Sequence, residues 1–158
     1  MSLDTIVEDI REEARADRRI EQEREQELSG AKLEAKQQRL EARREVLEEV
    51  REDARDRIAA IDGDEREDLT RTLLAATAEE FAADETVRVH GHEGDTELLE
   101  TIVDDFEGFA VGDPVDCLGG VVVESDESRV QVNNTFDSVL EEVWEDNLSE
   151  ISARLFEE

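Results

Sequence analysis

From Leu3 to Ile61 the apolar residues are few and keep helical spacing: Leu3, Val7, Ile10 and Ala14, then Leu28, Ala31, Ala35, Ala42, Val46, Val50, Ala54, Ile58 and Ile61. A second row, Leu33, Leu40 and Leu47, steps by sevens. Between them stand mostly Glu, Arg, Gln and Ala, strong helix formers, with no Pro and one glycine, Gly30. The pattern predicts one helix over about residues 3–61, with Gly30 as its weak point or bend. Consecutive steps of four from Ala42 to Ile58 carry the period beyond a strict heptad and are compatible with right-handed supercoiling. Such a helix would reach roughly 90 Å at about 1.5 Å per residue. Its stripe is too thin and too rich in Ala to stabilise an isolated helix by burial. A partner helix along Leu28, Ala31, Ala35, Ala42, Val46, Val50, Ala54 and Ile58 is therefore expected, in preference to a lone helix held by ion pairs.

Beyond Asp62-Gly63-Asp64 the pattern changes. A helix is predicted from a capping-box-like Asp64 and Glu67, with Leu69, Leu73, Ala76 and Phe81 inward. Thr86–His90 alternates like a half-buried strand. Asp95 is placed to cap a short helix through Leu98, Leu99, Ile102 and Phe106. Gly108–Val111 reads as a short edge strand. Gly119–Glu124 and Ser128–Val132 flank a polar turn and read as a β-hairpin. From Thr135 to Phe156 the apolar residues return to helical spacing, with Asn134 and Asp137 as the cap and the helix covering one face of the sheet. The expected architecture is α+β: a stalk helix over residues 1–61, then a small domain over 62–158 with a hairpin and a final amphipathic helix.

Charge sharpens the division. The chain holds 18 Lys and Arg against 47 Asp and Glu, a formal net charge of -29. Residues 1–61 carry 13 basic against 18 acidic side chains; the remainder carries 5 against 29. Such a surface repels phosphate backbones and anionic lipid head groups, which argues against nucleic acid as a partner. Lys32 and Lys36 are the only lysines. Surplus carboxylates with few lysines resemble proteins of salt-loving archaea, where the screening length falls to about 3 Å at 1 M salt. A single cysteine, Cys117, excludes an internal disulfide and suits a reducing compartment. No apolar run approaches the roughly 20 residues that span a bilayer, and the start lacks a signal segment, so direct membrane insertion is not expected.

Candidate chemistry is thin. His90 and His92 stand beside Glu93 and Asp95, but the chain has no further histidine to complete a typical metal site. Cys117 lacks a base nearby in sequence, and a buried structural role suits it better. Gly119-Gly120 lacks the Lys-Ser/Thr of a phosphate loop; close backbone approach or an unusual φ explains it better. With 47 acidic residues, no carboxylate pair is informative. Neither an active site nor a cofactor is expected.

The run CLGGVVVESDESRVQVNNTFDSVLEEVWEDNLSEISARLFEE resembles the C-terminal domain of the E subunits of archaeal (A-type) and vacuolar-type ATP synthases. The shared elements are Gly119 and Gly120 before the strand Val121–Val123, then Asn133, Asn134, Thr135 and Phe136 leading into a helix. The resemblance covers about the last 40 residues well and the whole chain more loosely, including the Ser29–Lys36 run. It implies a non-catalytic peripheral stalk on the cytoplasmic face of the cell membrane, in a proton-translocating rotary synthase. The helix would pair with the small stalk subunit (H, or G), the C-terminal domain would dock on catalytic head subunits A and B, and the N-terminal end would approach the membrane stator subunit. The helical segment looks shorter than the family usually carries. The rival class, a generic coiled-coil interaction or chaperone-like protein of a halophile, accounts for the helix but not for the hairpin and its Asn-Asn-Thr-Phe exit.

Unscreened repulsion at this net charge opposes compactness. Helicity measured by circular dichroism should therefore fall when molar salt is replaced by dilute buffer; equal helicity in both would contradict the expectation.

Overall fold

The computed structural model describes residues 2–157. Helix α1 spans Leu3–Ala59 and runs unbroken through Gly30, with open space where a Cβ would stand. It is followed by α2 (Gly63–Ala78), β1 (Val87–His90), a short 3-10 turn (Glu93–Asp95), α3 (Thr96–Val103), β2 (Phe109–Val111), β3 (Gly120–Ser125), β4 (Gln131–Thr135) and α4 (Phe136–Phe156). This is the expected α+β architecture: a long helix, a small sheet and a final helix. By internal contacts the chain divides into two units, one ending at Val46 and the other beginning at Leu47, so the second includes the last turns of α1.

The sheet has the order β2-β1-β3-β4. β1 and β2 are parallel, joined by a crossover through α3, while β3 runs antiparallel to both β1 and β4. The parallel pair needs that crossover because a tight turn cannot return a strand in the same direction. β2 lies at the edge, as its short Gly-bounded run suggested. Val87 opposes Ser125 and Val89 opposes Val123, so alternate residues share one face. Val87, Val89, Val121 and Val123 are fully buried there beneath Leu74 of α2, Phe81 just beyond it, and Leu99, Ile102 and Val103 of α3. The opposite face carries Arg88, His90 and Glu124.

Several local expectations are corrected. The sheet face is covered by α2 and α3, not by α4, whose one buried residue is Phe136. The buried line of α2 is Arg66, Thr70, Leu74 and Thr77, whereas Leu69 and Ala76, expected inward, are exposed and Leu73 is half-buried. The polar members of that line are satisfied: Thr70 Oγ1 donates to the Arg66 carbonyl at 2.7 Å, and Thr77 Oγ1 to the Leu74 carbonyl at 2.8 Å. A buried threonine costs little once its hydroxyl bonds back to its own helix. Helix α2 starts at Gly63 after Asp62, which makes no side-chain cap, so the Asp64–Glu67 capping box is not the helix start. Asp95 is spent elsewhere and does not cap α3. Thr135, not Asn134, caps α4 by accepting from the Ser138 amide at 3.2 Å.

Leu74 sits at the centre of the core with no exposure. Leu74→Ala should cost about 2–5 kcal/mol in urea unfolding at constant molar salt; a loss under about 1 kcal/mol would place the core elsewhere.

Candidate assembly site

The apolar stripe of α1 is uncovered along most of its length. Leu28, Ala31, Ala35, Ala42 and Val46 are exposed, as are Leu33 and Leu40 of the second row. Val50, Ala54 and Ile58 are half-buried within the unit that begins at Leu47. Ile58 lines an apolar groove of about 260 Å³ with Ile61, Leu69, Leu73, Phe136, Val139, Leu140 and Val143. Thr72 is its one polar lining residue. Leu69 and Val143 stand 40% and 51% exposed beside it, a high exposure for such residues grouped in one patch. Nearby, Arg55 reaches Asp137 at 3.5 Å, drawing α1 and α4 together.

Beside the groove, two of the motif residues, Gly119 and Phe136, pack against a single buried cation, Arg66. Arg66 Nε and Nη2 donate to the two Asp95 carboxylate oxygens at 2.8 Å each. Nη2 also donates to the Leu118 carbonyl at 2.8 Å, and Nη1 to the carbonyls of Ile61 at 2.8 Å and Ala59 at 3.4 Å. The guanidinium lies 5.3 Å from the Phe136 ring centroid, within cation–π range. Its side chain is 10% exposed and that of Asp95 is 8% exposed. A planar fork with five N–H donors can serve all these acceptors at once; an ammonium cannot.

Each of the Gly-Gly and Asn-Asn-Thr-Phe positions has a contact that accounts for it, at Arg66 or within the hairpin and its neighbours. A Cβ on Gly119 would stand 2.5 Å from Phe136 ring carbons and 2.8 Å from Arg66 Nη2. Gly120 has φ +81° and packs where a Cβ would strike the backbone of Asn134 to Phe136. Asn133 Oδ1 accepts from the Thr135 amide and hydroxyl, while Asn134 Nδ2 donates to the Leu73 carbonyl at 3.0 Å and ties the hairpin to α2. Phe136 gives its ring to Arg66 and its amide to the Gly119 carbonyl at 2.9 Å. Asp137 accepts from the Leu118 amide at 2.7 Å.

The other candidates occupy separate places. His90 Nδ1 lies 2.7 Å from the Asp113 carbonyl and its Nε2 lies 2.9 Å from Glu124, whereas His92 accepts from the Gly94 amide at 2.9 Å. Among the described residues no three His, Cys, Asp or Glu side chains gather to hold a metal ion. Cys117 is half-buried, and burial pushes its thiol up, with Asp137 and Asp95 adding to the effect against a backbone hydrogen bond at Gly119 and the Arg66 charge. That keeps the group protonated, the less nucleophilic form. Sequence reasoning did not single out Arg66, and it considered Asp95 only as a helix cap and as a neighbour of the His90–His92 pair. The signal available was spacing: Arg66, Thr70, Leu74 and Thr77 recur in steps of four and three on one helix face.

A family model described as ATP synthase (E/31 kDa) subunit matches residues 5–156. An A-type ATP synthase E subunit of Natronomonas pharaonis is 76% identical over 102 residues, 65% of this chain and 53% of that relative. Its counterpart in Halobacterium salinarum is 59% identical over 103 residues, with the same coverage, and that of Methanoculleus marisnigri 37% over 71 residues, 43% of this chain and 37% of the relative. The chain thus spans about half the length of the haloarchaeal relatives it matches.

Gly119→Ala should lower unfolding stability by about 1–3 kcal/mol through overpacking against Phe136 and Arg66. Unchanged stability in thermal or urea unfolding would show that the loop relaxes freely.

Proposed function

We propose a role from one premise: this chain belongs to the ATP synthase (E/31 kDa) subunit family. It acts as a peripheral-stalk subunit of an archaeal, proton-translocating rotary ATP synthase, and its contribution to ATP synthesis is mechanical. The central rotor turns within a ring of catalytic subunits, and a stator must hold that ring still against the torque. A helix supported by a second helix resists stretching along its axis, and a compact domain supplies a broad docking surface. The observation that carries the proposal is the exposed apolar stripe from Leu28 to Val46 on a helix of 57 residues. Isolated helices draw little stability from propensity alone, and an uncovered stripe at helical spacing suits a partner helix.

On this reading the small stalk subunit, H or G, lies along the stripe. The domain after α1 docks on head subunits A and B, and the N-terminal end approaches the membrane stator subunit. The complex places the chain peripherally at the cytoplasmic face of the cell membrane. No helix among the described residues is long and apolar enough to cross a membrane, so attachment through partners suits it.

Affinity purification of the tagged chain from gently solubilised haloarchaeal membranes at molar salt should recover the head subunits and the small stalk subunit. Recovery without them would overturn the stator role. Val46→Asp should weaken pairing with the small stalk subunit at least about tenfold by placing a charge in an apolar seam, measured by fluorescence anisotropy at fixed salt; unchanged affinity would mean the seam lies on another face.

A further inference from the structure

The joint between α1 and α2 has little packing of its own. Helical backbone stops at Ala59 and resumes at Gly63, which has φ +61° and open space around it. Asp62, Gly63 and Asp64 are exposed, and Asp62 offers no side-chain cap to the new helix. Such a segment, left to itself, is a hinge: a few residues at element ends that can absorb a change in φ and ψ. Two side-chain restraints reach its neighbourhood from the domain. One is the groove contact of Ile58 and Ile61 with its part-exposed Arg55–Asp137 pair. The other is Arg66, which binds the Ala59 and Ile61 carbonyls at the break while Asp95 and Leu118 hold its opposite edge.

We propose that Arg66 is a hinge lock: its guanidinium, fixed in orientation by Asp95, fastens the C-terminal end of the long helix to the domain, so that the joint at residues 60–63 bends when the fork is lost. The inference rests on the stator reading for its purpose, since a support that bends at its joint transmits torque poorly. The geometry separates it from ordinary core support. Arg66 touches the joint only through backbone carbonyls, and these the long helix cannot satisfy within itself because they lie at its end. Lysine at this position would keep the charge but lose the planar fork that reaches Asp95 and the carbonyls together.

The test uses the full chain at molar salt in a Cys117→Ser background, with nitroxide labels at Glu49→Cys and Thr101→Cys, both exposed sites. Arg66→Lys should broaden the distance distribution between the labels. It should also speed amide exchange at residues 60–64 by roughly tenfold to a hundredfold, as loss of charged hydrogen bonds predicts, and by clearly more than at the amides of Val121–Val123. Asp95→Asn should change both readouts in the same direction by a smaller factor, and it decides the matter if Arg66→Lys does not fold. A folded variant with an unchanged distribution and unchanged exchange at the joint would overturn the proposal. So would exchange that accelerates equally in the strands, or unfolding of both variants, because Arg66 would then support the whole domain. Failure of the parent chain to recover head subunits removes the stator role and leaves the lock measurement standing.

Discussion

Burying Arg66 places a demanding constraint on the domain. A guanidinium withdrawn from water needs a counter-charge and an acceptor for each donor, or the domain loses several kcal/mol. Asp95 supplies the charge, and the carbonyls of Ala59, Ile61 and Leu118 supply the remaining acceptors. Meeting those demands brings the end of α1, the start of α2, the 3-10 turn before α3 and the loop before β3 to one point. The Phe136 ring closes the site from the first turn of α4. Among the described residues no buried side-chain nitrogen or oxygen is left without a partner.

The first glycine of the Gly-Gly pair follows from that constraint, and the second from the close approach of the hairpin's exit. Gly119 leaves room for the guanidinium and the Phe136 ring, and Gly120 adopts a φ that other residues rarely tolerate. Asn134 then ties the hairpin exit to α2, and Thr135 starts α4 with a side-chain cap. The groove formed by Ile58, Leu69, Phe136 and Val143 lies beside this knot, and its apolar floor is half-open. Together with the uncovered stripe of α1 it gives the chain two apolar surfaces that an assembly can cover, on a protein whose solvated surface is otherwise crowded with carboxylates.

Much of the fold was legible in the residues. The long helix follows from residue propensity and the absence of Pro, and α1 indeed spans Leu3–Ala59. The strands declared themselves through alternation at Val87–His90 and through the run Val121–Val123, and the hairpin through the polar turn after that run. These are local signals, set by side-chain spacing and backbone preference. The inward face of α2 was not legible in that way. Apolarity pointed to Leu69 and Ala76, while the molecule buries Arg66, Thr70 and Thr77 beside Leu74. A residue scale assigns a cation to water unless its partners are known, and those partners stand 29 and 52 positions away at Asp95 and Leu118.

The sequence by itself determined the order of helices and strands and where the charge accumulates, although the second hairpin strand runs over Gln131–Thr135 rather than the expected Ser128–Val132. The reason is that spacing, propensity and formal charge are properties of neighbours along the chain. Only the tertiary structure decided that Asp95 abandons its cap for Arg66, that Thr135 rather than Asn134 starts α4, and that α2 and α3 cover the sheet while α4 contributes one buried ring. Each of those outcomes is a competition between distant groups for the same acceptor or the same apolar face. The winner is set by three-dimensional proximity, which no local pattern encodes.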